Sequence, residues 1–271
     1  MNKNLFLIIF IIIALFCGFI LGDYFQYKEN LTTDIVFFGM GKADSIFIRN
    51  NSKTMLIDTG TREKRKKLVN NLKELGVKKI DYLILTHPDK DHIGGAYYII
   101  DNFKVERIIQ SKFEKGNKAE LRLKESLKNT TLENIIITTS EDYKFDLGNL
   151  KITIYPPRED SYTKSNDYSL ITHVEDGDLN YIFAGDAEEI LLSEILQKKL
   201  PPIDIYKVPH HGKWNINSVK IIEKISPKYA IITNNIGDKR VIESLKEIEA
   251  KTFYVFDSDL HFRSDGKDLE Y

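Results

Sequence analysis

The stretch LTHPDKDHIGG, residues 85–95, holds His87, Asp89, Asp91 and His92, four side chains able to ligate a metal within six positions. The whole chain has six histidines, and two of them fall here. As a surface loop the cluster would be poorly built, because carboxylates and imidazoles drawn together lose hydration unless a cation satisfies them. Further groups of the same kind end apolar runs elsewhere. YIFAGD ends in Asp186, IDIYKVPHHG delivers His210 and His211, and TMLIDTG carries Asp58. If those runs are buried strands, a packed sheet gathers their C-terminal ends although the residues lie over a hundred positions apart. A gathering of this composition suits a pair of divalent ions. Imidazole fits zinc, iron or manganese, while carboxylate shifts the preference toward harder ions and can bridge two of them. Asp58 would reach the same rim and orient a histidine ligand through its far ring nitrogen. Gly94 and Gly95 would let the next helix come close to the site, and Gly185 would do the same before Asp186.

The elements that must position these groups read as strands and helices in alternation. DIVFF, SIFIRN and TMLIDTG predict three short strands, and REKRKKLVNNLKELG an amphipathic helix stopped by glycine. KIDYLILTH is apolar at nearly every position and predicts a strand buried on both faces. Helices follow over GGAYYIIDNF and residues 117–128, with strands VERIIQ and NIIITT between and after them. The second half predicts strands LKITIYPP, YSLITHVED, LNYIFAGD, IDIYKVPHHG, YAIITNN, TFYVF and LHFRSDGKDLEY. Helices lie over 187–198, near 216–225, and after YAIITNN. No repeat or linker interrupts residues 34–271, so they form one mixed α/β (α+β) domain of sheets with outer helices.

Composition narrows the partners. The chain has 39 basic and 40 acidic residues, so no global field selects nucleic acid or membrane. The single cysteine, Cys17, excludes an internal disulfide and a cysteine-based metal site. Residues 1–22 differ from the rest: behind Lys3, Leu5 to Leu21 is unbroken by a charge. The run is at the short end of what spans a bilayer, and no A-x-A-like cleavage triplet follows it. An uncleaved anchor with Lys3 in the cytoplasm is expected, which puts the domain outside the cell; the alternative is a secreted protein after signal cleavage. Residues 23–33 read as a tether.

Taken in order, LIDTG, LTHPDKDHIGG, FAGD and VPHHG resemble the metallo-β-lactamase-fold hydrolases. Within them the chain is most similar to the hydrolase domain of the ComEC-type DNA-uptake (competence) proteins and their free-standing secreted relatives. In that branch the second histidine of H-x-H-x-D-H is an aspartate, as Asp89 is here. MGKADSIFI is similar to the branch's V-G-Q-G-D-x-x-x-I, with Lys42 and Ala43 in place of Gln and Gly. NDYSLITHV resembles its N-x-x-S-L segment and FRSDGKDLE its closing strand. The resemblance covers residues 34–270 and implies a four-layer αββα sandwich with the metals on the edge between the sheets. By position it implies His87 and Asp89 at a first metal, Asp91, His92 and His210 at a second, and Asp186 bridging, with Zn2+ or Mn2+ as the ions. Two departures stand out. No histidine lies near residue 166 to complete the first site, where only Asn166 and Ser169 are available, and the branch's G-H-P is replaced by IGDKR.

The resemblance implies a membrane-anchored extracellular phosphodiesterase acting on DNA or RNA through a metal-activated water. Asp91 or Asp186 would accept the proton, and His211 or Lys213 would assist the leaving group. Asn166, Ser169 and Lys213 are the expected substrate contacts. His211 has two other readings, as a ligand or as a group held by Asp204. Competing functions are hydrolysis of another ester, lactone or amide, and a non-catalytic module that keeps metal for stability. With one candidate span the chain would need separate translocation machinery to move DNA. His173 and His261 are expected on the surface. The basic run TREKRKK is either a solvated helix face or a guide for phosphates through Arg62, Lys64 or Arg65. Trp214 either stacks on a substrate ring or is buried under the neighbouring helix.

Overall fold

The computed structural model describes residues 9–18, 33–128, 130–138 and 141–271. Strands β1 (Thr33–Phe37), β2 (Ile46–Asn50) and β3 (Lys53–Ile57) form an antiparallel meander. Strands β4 (Lys79–Leu85), β5 (Lys104–Ser111) and β6 (Glu133–Ile137) then add in parallel, with helices on the connections. The second sheet begins with the antiparallel strands β7 (Tyr143–Leu147), β8 (Leu150–Tyr155), β9 (Ile171–Asp176) and β10 (Leu179–Phe183). It continues in parallel through β11 (Ile205–Lys207), β12 (Tyr229–Ile232) and β13 (Lys251–Tyr254). Strands β14 (Leu260–Ser264) and β15 (Leu269–Glu270) return to the first sheet, where β14 covers the free edge of β1.

Side-chain alternation explains why the sheets stack and why both carry helices. On β1, Ile35 and Phe37 pack between the sheets while Val36 faces outward; on β10, Tyr181 and Phe183 face in and Ile182 out. The outward residues of the first sheet meet α1 (Arg65–Glu74), the short α2 (Lys90–Ile93), α3 (Ala96–Asn102) and α4 (Lys118–Lys128). Those of the second meet α5 (Glu189–Leu196), α6 (Ser218–Ile225) and α7 (Lys239–Glu247). Strands apolar on both faces are thus buried on both, each such side chain contributing about 1.5–3 kcal/mol. The spacing of Leu68, Val69 and Leu72 sets the buried stripe of α1, and Asp238 caps α7 by accepting from the Arg240 N–H at 3.0 Å.

One strand escaped the sequence and one expectation needs correction. The strand β7 was not predicted, because YKFDL shows only three alternating apolar positions; tertiary packing secures it, with Phe145 stacked on Tyr82 at 4.1 Å between ring centres. His173 is buried rather than on the surface, its ring between the Tyr155 hydroxyl and Asn180 Oδ1, each 3.0 Å away. Alternation does point it away from the inter-sheet core, but in a helix-covered sheet that side is buried too. At the N-terminus, residues 9–18 are helical with exposed apolar side chains, while residues 1–8 and 19–32 lie outside the described residues. No helix among the described residues is long and apolar enough to cross a membrane. His261 is exposed, as expected.

Candidate metal centre

Apart from Asp91 and His92, which α2 carries, the groups of the centre sit where a strand ends or begins. His87 follows β4, Asp58 follows β3, Asp186 follows β10, His210 and His211 follow β11, Thr233 follows β12, and Asp44 lies just ahead of β2. The parallel pair β3–β4 and the parallel run β10–β11–β12 bring their C-terminal ends to one edge of the sandwich. The α2 segment docks there because it has no side chain at Gly94. A Cβ at that position would lie 2.6 Å from the Arg62 backbone nitrogen and 2.9 Å from the Gly60 carbonyl oxygen.

At that edge His87 Nε2, His92 Nε2, His211 Nε2 and Asp186 Oδ1 are buried without a hydrogen-bond partner among the described residues. They face one another: His92 Nε2 lies 3.2 Å from Asp186 Oδ1, and His211 Nε2 lies 3.4 Å from Asp186 Oδ2 and 3.5 Å from Asp91 Oδ2. The opposite nitrogen of each ring is held from behind. His92 Nδ1 meets Asp58 Oδ2 at 2.7 Å, and that carboxylate is fixed by the Thr86 N–H at 2.9 Å and the Thr86 hydroxyl at 2.7 Å. Thr233 gives its proton to Asp44 at 2.6 Å, which leaves its oxygen to accept from His211 Nδ1 at 3.0 Å. His87 Nδ1 lies 3.1 Å from Thr86 Oγ1 and 3.4 Å from Ser169 Oγ. Rings anchored at Nδ1 with Nε2 free are the arrangement that metal-binding histidines require. Ligand atoms of His87, His92 and Asp186 lie within 4.8 Å of one another, as do those of Asp91, His92 and His211. Four converging orphaned atoms and this donor set fit divalent ions well.

Not every expected ligand joins them. His211 enters the cluster and His210 stays at its rim, 4.0 Å from Asp186 Oδ2 and 3.1 Å from Glu188 Oε1. The cause is local: His210 (φ 49°) and His211 (φ 53°) both adopt the left-handed conformation, and Gly212 (φ 81°) continues it. This turn reverses which imidazole points inward and stores about 1–2 kcal/mol of strain per histidine. Asp89 also stands apart, paired with Lys115 at 2.6 Å. Ser169 accepts from the Asp186 N–H at 3.3 Å and stays beneath the site, while Asn166 donates to Glu188 at 3.1 Å and lies 3.4 Å from the His210 ring. Lys213 is exposed beside His210. Asp204 does not hold His211; it accepts from the Asn180 N–H at 2.9 Å instead. Trp214 is half-buried against the α5–α7 layer, with the Arg240 guanidinium 3.6 Å from its ring centre.

Two residues missed in the sequence dominate the electrostatics. The side chain of Lys207 is fully buried and paired with Asp44, with its amine 2.7 Å from the Gly185 carbonyl and 3.6 Å from Asp186 Oδ1. Burial favours a neutral amine, but Asp44 and Asp186 outweigh it and raise the Lys207 pKa. Burial opposes ionisation of Asp44 as well, and Lys207 and His211 overcome it to hold that carboxylate well below its usual range. Burial would also neutralise His211, yet Asp186 and Asp44 push it up to about 10, and Asp186 and Asp58 likewise raise His92. For His87, burial and the charge of His92 win, lowering it to about 4. Asp91 is held at about 2: burial raises it, but the His211 hydrogen bond and the His92 charge prevail. A lysine inside the apolar run IDIYKV was a visible signal of a buried charge, though not of its partner.

Residues 39–233 match the metallo-beta-lactamase superfamily. The chain belongs to that superfamily. It is 30% identical to ComE operon protein 3 of Bacillus subtilis (strain 168) over 218 residues, 72% of this chain and 27% of the relative. It is 26% identical to recombination protein 2 of Haemophilus influenzae over 228 residues, 82% of this chain and 26% of the relative. The metallo-β-lactamase chain thus spans about a quarter of the length of these curated, ComEC-like relatives. Among solved structures, the metallo-beta-lactamase fold protein YhfI from Bacillus subtilis superposes with a TM-score of 0.58 at 11% identity, covering 86% of this chain and 99% of that one. Tm1679, a metal-dependent hydrolase of the beta-lactamase superfamily, gives 0.55 at 14% identity over 84% and 98%. At such identities the likeness concerns the fold, and the two helix-flanked sheets are that of the superfamily. Metal-dependent hydrolysis is the activity that the membership and the cluster of histidines and aspartates assign.

Proposed function

We propose that this metallo-β-lactamase chain is a phosphodiesterase acting on nucleic acid. The observation that carries the reading is the convergence of His87 Nε2, His92 Nε2, His211 Nε2 and Asp186 Oδ1, buried and unsatisfied, beside Asp91. One divalent ion would be held by His87 and Asp186. A second would be held by Asp91, His92, His211 and Asp186. Bound there, Zn2+ or Mn2+ would lower the pKa of water and stabilise charge on the attacking and departing oxygens of an in-line displacement. The chain's own groups do the rest. Asp58 and Thr233 fix the two imidazoles, Lys207 and Asp44 fix Asp186 and His211, and His210 with Lys213 stands where a leaving oxygen can take a proton.

Phosphodiesters are preferred over other esters because the sequence resembles the ComEC-type DNA-uptake branch and because the mouth of the site is lined by cations, Lys42, Lys213 and Arg62 among them. The same reading keeps the domain outside the cell, anchored through the apolar run Leu5 to Leu21, with any DNA translocation left to separate machinery. The test is to load the full chain with Mn2+ or Zn2+ and offer bis-p-nitrophenyl phosphate, single-stranded DNA and nitrocefin. Hydrolysis of the phosphodiesters, abolished in Asp186→Asn, is expected. Turnover of nitrocefin alone would replace this reading with hydrolysis of an amide or lactone. Bound metal without turnover of any of the three would leave a non-catalytic module.

A further inference from the structure

We propose that the metal centre lies midway along a two-armed basic cleft that seats one flexible polynucleotide strand on both sides of the scissile phosphodiester. The proposal rests on the phosphodiesterase reading and adds where the rest of the substrate lies. One arm is a cleft of about 480 Å³ lined in part by Asp91, which lies 3.5 Å from His211 Nε2, so it borders the centre. Arg62, Lys90, Lys118 and Arg122 also line it. Its acids are largely spoken for: Asp91 faces His211 at 3.5 Å, and Asp89 is neutralised by Lys115 at 2.6 Å. That leaves Glu63 against four cations, a surplus that favours phosphates.

The other arm, of about 280 Å³, is lined by His210 and His211 of the centre together with Lys42, Lys213 and Ile236. Its one acid, Asp238, is occupied by Arg240, which reaches it through two nitrogens at 3.1 Å each. Ile236 is 68% exposed, an apolar surface on which a base or sugar can rest. A mononucleotide would need one arm, not two.

Strand flexibility follows from depth. His87, His92 and His211 are at most 2% exposed, so the reacting phosphate must be carried inward at the junction of the arms. A single strand can bend there, whereas duplex DNA resists bending over some 50 nm by its persistence length, about 150 base pairs, and cannot send one phosphate inward away from its neighbours.

The experiment compares the full chain with the double variant Lys118→Gln/Arg122→Gln and with Lys42→Gln, one for each arm. Lys246→Gln, on the exposed side of α7, serves as the control. Activity is measured with Mn2+ on a labelled thymidine 20-mer, the same sequence as duplex, and bis-p-nitrophenyl phosphate, across a salt series. Binding of the 20-mer without added metal is followed by fluorescence anisotropy. Each removed cation should flatten the salt slope on the 20-mer by about 0.7, so at ordinary salt kcat/KM falls about fifteenfold in the double variant and about fourfold in Lys42→Gln. The ratio of 20-mer to bis-p-nitrophenyl phosphate turnover should fall with it, and the control should match the wild type. An unchanged salt slope in either arm variant, or equal cleavage of duplex, would overturn the two-armed strand while leaving the phosphodiesterase reading intact. Absence of bis-p-nitrophenyl phosphate turnover would instead remove that reading, and the anisotropy titration would still decide whether both arms hold the strand.

Discussion

Replacing Lys207 with methionine keeps the length of the side chain and removes a positive charge from a fully buried site. Asp44, 1% exposed, would then face His211 and Thr233 without the amine that makes its ionised form tolerable. Breaking a buried pair by deleting one partner costs about 3–5 kcal/mol, because the remaining charge is left uncompensated. In a domain of this size each kcal/mol moves the midpoint about 2–4 °C, so a drop of roughly 6–20 °C is expected in chelated protein. Adding Asp44→Asn removes the orphaned charge, and the double variant should recover most of that loss. Circular dichroism melts and urea titrations of wild type, both single variants and the double variant complete the cycle. A Lys207→Met loss below about 1 kcal/mol, or a double variant whose loss equals the sum of the singles, would refute the claim that the pair compensates itself.

Four other outcomes follow from the geometry. His211→Ala should lower divalent-ion affinity by more than about 100-fold, whereas His210→Ala should change it by less than about tenfold, as read by titration and by mass-spectrometric metal content. Asp58→Asn, which loosens the His92 ring while leaving every ligand in place, should cost about 10–100-fold in the same affinity. The pH dependence of the chelated protein has a definite sign. His211, raised to about 10, gives stability that is complete below its unfolded value near 6.5 and is lost as pH climbs toward 10. His87, lowered to about 4, gives stability present above about 6.5 and lost as pH falls through 4. Melting points of chelated protein should therefore decline on both sides of roughly pH 6.5. Metal uptake at pH 7 should release protons from His211 and His92, measurable in a pH-stat.

Much of this protein could be read without coordinates. Period-two apolar runs with hydrophobic side chains on both faces already required covered sheets, and that is why β1, β4, β10 and β12 were legible. The cluster at residues 87–92 and its distant partner Asp186 were legible too, because ligand types at strand ends have few other uses. The sequence could not say which of two adjacent histidines points inward: consecutive left-handed residues at 210 and 211 are unfavourable locally and exist because the surrounding sheet ends impose them. Nor could it reveal that Asp44 and Lys207, 163 positions apart, neutralise one another, since nothing in either neighbourhood marks the other. The same limit hid Lys115 on Asp89, the β7 strand and the burial of His173. Residue types and periodicity are properties of short segments and determine elements and chemistry, whereas pairing of charges and the direction of a side chain depend on what the folded chain sets opposite them.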